Sequence, residues 1–212
     1  MTGRRMAKSR RRQRGQSLVE FALVLPVLLF MTLGVVEMGF AIAHNSTMVT
    51  ATRQAARVGS QQVNGSPTRK QPDNTPAGIA AAANVDPLII GAIEGVLLSP
   101  GSPTTLSEVV EIDIFQATDS GGVSGGNLNK WIPGAGPVLP GSSPATNLHF
   151  TPASSPWDPK TRTGAATAQN IGVRIIYKYN MITPLGNLLS AFGSGTITMT
   201  DQTIMAMEPP AP

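Results

Sequence analysis

The sequence predicts an α+β fold: a long amino-terminal transmembrane helix that packs, in its second half, on a small antiparallel sheet. Three observations predict it. Residues 21–43, FALVLPVLLFMTLGVVEMGFAIA, are a 23-residue apolar stretch with one charge, Glu37. Residues 109–115 (VVEIDIF) and 171–179 (IGVRIIYKY) place apolar residues at every second position, with charged residues between several of them. That period of two is the signature of half-buried strands. Between the two patterns, Asp86-Pro87 opens a short apolar segment that Pro100 closes, the punctuation of a packed helix.

The apolar stretch comes first in the chain. As a helix rising 1.5 Å per residue it spans roughly 35 Å, enough for the hydrocarbon core of a bilayer. Pro26 removes one backbone donor, which membrane helices tolerate because neighbours re-satisfy the freed carbonyl. Gly34 and Gly39 allow another helix to approach closely, although glycine is also ordinary membrane-helix composition.

Charge is distributed in two blocks. Arg4, Arg5, Lys8, Arg10, Arg11, Arg12 and Arg14 put seven positive charges into the first fourteen residues, and the rest carries nine basic against twelve acidic residues. The protein is a mildly acidic body with a basic head. Basic arms bind nucleic acid in some proteins, but this one abuts an apolar segment, where Lys and Arg mark the cytoplasmic side. The expectation is a lipid bilayer as partner and no nucleic acid. The chain has no cysteine, which excludes disulfides, a thiol nucleophile and thiolate-bound metal.

Several export readings fit the basic head and the apolar run. Ala41-Ile42-Ala43 before His44 resembles a secretory cleavage site, but a secretory apolar core is about 7–15 residues long, and this one is longer and carries Glu37, with Glu20 just before it. Ser9-Arg10-Arg11 resembles a twin-arginine start, but Gln13 and Arg14 stand where apolar residues should follow. An uncleaved anchor, amino terminus inside and body outside, is the third reading. None of the three explains Glu20, a carboxylate at the edge of a membrane segment where an uncompensated charge is costly.

A fourth reading does. Arg14-Gly15-Gln16-Ser17-Leu18-Val19-Glu20-Phe21 resembles a type III signal: a basic leader ending in glycine, four residues, glutamate, an aromatic residue and a long apolar helix. The processing site is then Gly15 and Gln16, and the assembly residues are Glu20 and Phe21. Cleavage after Gly15 leaves a cationic amine on Gln16, and Glu20 lies four residues on, close to the same helical face. A buried charge is tolerable when paired and costly when orphaned. The plain alternative is that Glu20 is solvated at the membrane interface.

The stretch from Gln16 to Gly59 resembles the amino-terminal region of the TadE-like pseudopilins of tight-adherence, Flp-type pilus systems. The residues that carry the likeness are Gly15, Glu20-Phe21-Ala22, Leu25-Pro26, Glu37 with Gly39, and Ala55-Ala56-Arg57-Val58-Gly59. The resemblance implies a pilin-like membrane protein, cut by a prepilin peptidase, that associates with other pilin or pseudopilin subunits and with assembly machinery in the membrane. It implies no enzymatic activity and no cofactor. It also implies that Glu20 neutralises the terminal amine of a neighbouring subunit. Major pilins of these systems have almost no globular part. This chain has about 150 residues beyond Gly59, which points to a minor component. The competing function is an exported binding module on an uncleaved anchor. Three segments follow from these readings: a leader at 1–15, a transmembrane and extended helix at 16–59, and an extracytoplasmic α+β body at 60–212.

Within the body, Ala51, Ala55 and Ala56 favour continuation of the helix to about Val58, with Gly59 as its stop. Arg53 and Arg57 fall on one exposed side. Residues 60–78 are polar and turn-rich and read as a linker. Asp86 is expected as the helix cap and Pro87 as the first helical residue. In the first strand Val110, Ile112 and Ile114 share a face opposite Glu111 and Asp113. If the two alternating strands pair, these carboxylates face Arg174 and Lys178. Residues 195–208 read as a strand bent at Asp201, and residues 184–192 as a short helix. The Gly-, Pro- and Ser-rich stretch at about 116–165 reads as one long loop anchored by Trp131 and Trp157.

Catalytic patterns are weak. Gly122-Val123-Ser124-Gly125-Gly126 matches G-x-S-x-G, but turn-forming residues flank it where a nucleophile elbow needs a strand and a helix. His44 and His149 are the two histidines, far apart in sequence, and no metal-ligand spacing or phosphate-binding glycine loop appears. Catalytic, metal and cofactor residues are therefore expected to be none.

Overall fold

The computed structural model describes residues 11–65, 74–164, 169–190 and 195–208. Helix α1 runs unbroken from Arg11 to Gln62, with Pro26 inside it. Helices α2 (Pro76–Ala83) and α3 (Val85–Leu97) follow. Strands β1 (Val109–Ala117), β2 (Val123–Pro133), β3 (Phe150–Ser154) and β4 (Asn170–Asn180) come next, then α4 (Pro184–Ser190) and β5 (Thr196–Ala206). The strands form one sheet in the order β3-β2-β1-β4-β5, with every neighbour antiparallel. Most of the expected leader, residues 1–10, lies outside the described residues. The chain divides into two units, residues 1–40 with 181–195, and residues 41–180 with 196–212.

In the second unit, α1 turns a stripe of Met48, Ala51, Ala55 and Ala56 into the core. The spacing of three and four keeps them on one helical face. Across from them, one face of the sheet offers Ile112 and Ile114 of β1, Val173, Ile175 and Tyr177 of β4, and Trp131 of β2. The register aligns Ile112 with Ile175 and Ile114 with Val173. Ile89, Ile90 and Ile93 of α3 complete this core. Arg53 and Arg57 remain exposed.

Gly59 does not stop α1. A Cβ at that position would lie 2.6 Å from Ile171 Cδ1 and 3.0 Å from Ile89 Cδ1, so the glycine lets the sheet and α3 close onto the helix. The helix ends at Gln62 instead. Val63 then takes a positive φ of 35° while its side chain is fully buried. The expected linker is consequently shorter at both ends, since Ser60–Gln62 are helical and α2 begins at Pro76. The side chain that caps a helix here is Thr75, which accepts from the Gly78 amide at the start of α2.

Asp86 is not a cap but lies in the first turn of α3, with Asn84 at the cap position. Its carboxylate accepts from Arg162 Nη1 at 2.6 Å and from Asn129 Nδ2 at 2.7 Å. Asn129 also exchanges two hydrogen bonds with the backbone of Trp157, and the Arg162 guanidinium lies 4.2 Å over the Trp157 ring. All four side chains are buried. Asp86, Asn129 and the two terminal nitrogens of Arg162 are bonded to one another or to the Trp157 backbone, which offsets the cost of burying them in a low-dielectric interior.

This cluster explains why residues 116–165 are not one long loop. β2 and β3 occupy part of that stretch. The turn from β1 into β2 closes through the Thr118 amide to the Gly122 carbonyl, with Gly121 at φ 89°. Glycine-rich sequence here makes a hairpin, because positive φ is what such a turn demands. Trp131 on β2 and Trp157 in the following segment are both buried, as anchors rather than surface patches.

Two strand expectations shift. Val110 is exposed while Val109 is buried, because a register shift between Val109 and Glu111 changes the strand's phase. At Asp201 there is no bend: β5 pairs regularly with β4 throughout. Asp201 and Thr203 lie on the face toward α1, where both bond Thr52 Oγ1. Polar residues on that face blur the alternation without disturbing the ladder.

On the other face of the sheet, Arg174 Nε donates to Asp113 at 2.8 Å, the cross-strand pair expected from the register. Glu111 turns to Lys130 of β2, at 2.7 Å, rather than to Lys178. The Lys130 hydrogen bond holds the Glu111 carboxyl below its ordinary value of 4.5, whereas burial pushes Asp113 up. Phe115 lies under Gly172, where a Cβ would come within 2.4 Å of its ring.

Gly172→Ala is expected to destabilise the body by about 1–3 kcal/mol, since the buried Phe115 ring must move; chemical unfolding of the full chain in micelles measures it. Lys130→Met is expected to cost under about 1 kcal/mol at pH 7, because the lysine side chain is partly exposed and its pair is screened by solvent. A folded-state carboxyl pKa below the unfolded value stabilises above it, so that difference should fade as the pH drops below 4.5 through the lowered Glu111 value. Unfolding of both proteins across that range gives the test.

Candidate processing and assembly segment

Residues 15–20 of α1 are all exposed. Gly15 and Gln16 lie in regular helix, and no atom approaches within 4 Å of a Cβ built on Gly15. Gln16 Nε2 donates to Glu20 Oε1 at 3.0 Å. The structure therefore brings together residue 16 and the carboxylate of residue 20, one helical turn apart. Phe21 follows, 63% exposed.

From Phe21 to Val36 the helix is apolar and its side chains are exposed, with Leu33 half-buried. Thr32 returns its hydroxyl to the Leu28 carbonyl at 2.9 Å, so even this polar side chain is satisfied within the helix. The helix is long and apolar enough to cross a membrane. Pro76–Leu97 passes the same test of length and composition, but α3 puts Ile89, Ile90 and Ile93 into the core of the body.

Glu37 breaks the apolar run and is buried, 8% exposed. Its Oε1 accepts from the Ile182 amide at 3.0 Å and its Oε2 from the Thr183 amide at 2.9 Å. These two amides immediately precede Pro184, the first residue of α4. A carboxylate that takes two backbone N–H groups ahead of a helix combines charge-assisted hydrogen bonding with a favourable dipole. This clamp is a contact that sequence reading missed. The signal was present in two halves, a lone carboxylate in a greasy helix and an uncharged Ile-Thr-Pro turn, but nothing local joins positions 145 residues apart.

The other candidates are not assembled into a catalytic site. Ser124 lies within β2, not at a strand-to-helix turn. His149 bonds Glu94 through Nδ1 at 2.9 Å and through its backbone amide at 2.6 Å. His44 sits inside continuous α1, buried edge-on against Tyr179 with ring centroids 5.0 Å apart. Among the described residues, no group of three or more His, Asp or Glu is placed to hold a metal ion.

The chain thus joins a helix long and apolar enough to cross a membrane to an α+β body. More particularly, residues 15–57 match the family model of TadE-like protein. That segment, through the core-facing stripe of α1, is similar to TadE-like proteins. The match stops short of the sheet. No curated protein and no solved structure matches the chain.

Glu37→Ala is expected to leave the Ile182 and Thr183 amides without their acceptor, at about 1–3 kcal/mol for each orphaned donor. Their hydrogen exchange should accelerate by roughly tenfold or more, and Glu37→Gln, which keeps one carbonyl oxygen, should fall between. Exchange mass spectrometry over residues 181–190 reads this directly.

Proposed function

We propose that this protein is a minor pilin or pseudopilin of a tight-adherence pilus. A prepilin peptidase removes residues 1–15. The new amine of Gln16 and the Glu20 carboxylate then share one face at the membrane boundary. During assembly the apolar stretch 21–36 leaves lipid and packs among other subunits, and Glu20 pairs with the terminal amine of a neighbour. The carrying observation is the Gln16–Glu20 contact at 3.0 Å on an exposed helical face. It supports a charged pair at these positions once the leader is gone.

The work of Glu20 in this mechanism is selective rather than stabilising. Two opposite charges taken out of water offset their desolvation only in good geometry. A subunit in the wrong register leaves both unpaired in a low-dielectric bundle. Before assembly the amine and carboxylate face water or lipid headgroups and cost little. The body stays on the outer side of the cytoplasmic membrane or is carried on an extracellular pilus.

The second reading, an exported binding module on an uncleaved anchor, has one observation in its favour. A cleft of about 470 Å³ opens beside Trp131, Asp86 and Pro159. The two readings differ at the amino terminus. Mass spectrometry of protein from native membranes should find a chain starting at Gln16, and Glu20→Ala should be cut normally yet enter pili several-fold less. An intact amino terminus, together with normal piliation in that variant, would leave the anchored module.

A further inference from the structure

We infer that residues 181–190 form a second membrane contact, an interfacial element seated in the leaflet on the side away from the basic head. This rests on the reading of α1 as a membrane anchor. From Phe21 to Glu37 the helix climbs about 24 Å, against a hydrocarbon core of about 30 Å. With Phe21 at the near boundary, Glu37 lies inside the far one, and tilt only deepens it. The Ile182 and Thr183 amides are within 3.0 Å of the Glu37 carboxylate. The turn they belong to therefore sits at the same depth.

The turn is built for that depth. Backbone donors in a lipid environment must be satisfied within the protein. The Met181 amide donates to the Gly195 carbonyl at 3.1 Å. The Ile182 and Thr183 amides are taken by Glu37. Pro184 has no amide to satisfy, and the Gly186 amide returns to the Thr183 carbonyl at 3.0 Å. The sequence agrees: from Tyr179 to Thr200 no residue is charged, and the flanking charges are Lys178 and Asp201. Ile182 is 59% exposed, an apolar side chain on a turn whose Met181, Ile182, Thr183 and Gly186 amides have partners.

The occupant we assign to this face is phospholipid rather than another protein, because its depth follows from the anchor itself. Glu37 then has a clear role. It lets a non-helical turn enter the apolar boundary by taking its amides, while those amides let a carboxylate lie there.

The absence of cysteine from the chain makes the test clean. Ile182→Cys and, separately, Val27→Cys carry an environment-sensitive fluorophore in the full-length protein. Each is reconstituted into vesicles of equal parts phosphatidylglycerol and phosphatidylethanolamine. Quenching by nitroxide lipids labelled just below the headgroup is compared with quenching by aqueous iodide. The inference expects several-fold stronger lipid than iodide quenching at position 182. Adding Glu37→Ala should raise iodide access there several-fold. Iodide quenching at 182 with lipid quenching intact at 27 would overturn the inference and leave the anchor standing. Shielding of 182 from both quenchers would mean that protein covers this face, and would overturn it equally. Loss of lipid quenching at 27 would remove the anchor reading and this inference with it.

Discussion

Between Phe21 and Val36 the side chains of α1 are mostly exposed and apolar, while its peptide groups, apart from the carbonyl that Pro26 frees, are closed within the helix. Leu23, Met31 and Val35 are each 70% or more exposed. In water each such side chain forgoes roughly 1.5–3 kcal/mol of burial; in hydrocarbon it forgoes almost nothing. The same helix, from Met48 on, must present small residues to a sheet. One continuous rod thus meets two apolar environments with different demands. Lipid accepts any bulky surface, whereas a packed core accepts only a fitted one. Phe, Leu and Val dominate the first half for that reason, and Ala51, Ala55, Ala56 and Gly59 line the second.

Close approach of the sheet to that small-residue stripe leaves little room for polar groups, and several of those that remain inside are held by partners. Thr52 meets Asp201 and Thr203. Asp86 meets Arg162 and Asn129. These contacts contribute uniqueness as well as stability, because a slipped β5 or a displaced segment around Trp157 leaves a carboxylate or guanidinium buried without a partner. The Asp86 cluster ties the start of α3 to β2 and to the segment after β3. A stretch rich in glycine and proline is thereby held to the framework, together with its buried Trp131, Leu148, Phe150 and Trp157.

With the proposed role of Glu20, one residue type serves two purposes in a single helix. Glu20 is exposed at the boundary and bonds Gln16 one turn back, an arrangement that leaves its carboxylate accessible to an amine from another subunit. Glu37 is buried and bound to backbone amides of its own chain. Both sit next to apolar surface where an ion is costly, and each is made tolerable by donors. The donors are inherent in the fold for Glu37 and supplied by processing and assembly in the proposed role of Glu20.

Much of this was legible in the primary structure. Hydropathy alone marks the membrane helix, since a run of about twenty apolar residues has few other stable fates. Period-two alternation marks β1 and β4, because their polar and apolar faces differ sharply. The pattern Gly15, Glu20, Phe21 is local and can be read without the fold, and its role rests on the proposal above. What escaped were features set by contacts between distant residues. Gly59 reads as a helix stop because glycine usually ends helices, yet here Ile89 and Ile171 need its missing side chain. Asp86 reads as a cap until Arg162 and Asn129 draw its carboxylate inward. The hairpin of β1 and β2 is hidden in glycine-rich sequence, because strand pairing depends on the partner strand as much as on local propensity. The Glu37 clamp is the extreme case: one carboxylate and two amides acquire their meaning only when the chain returns to the helix.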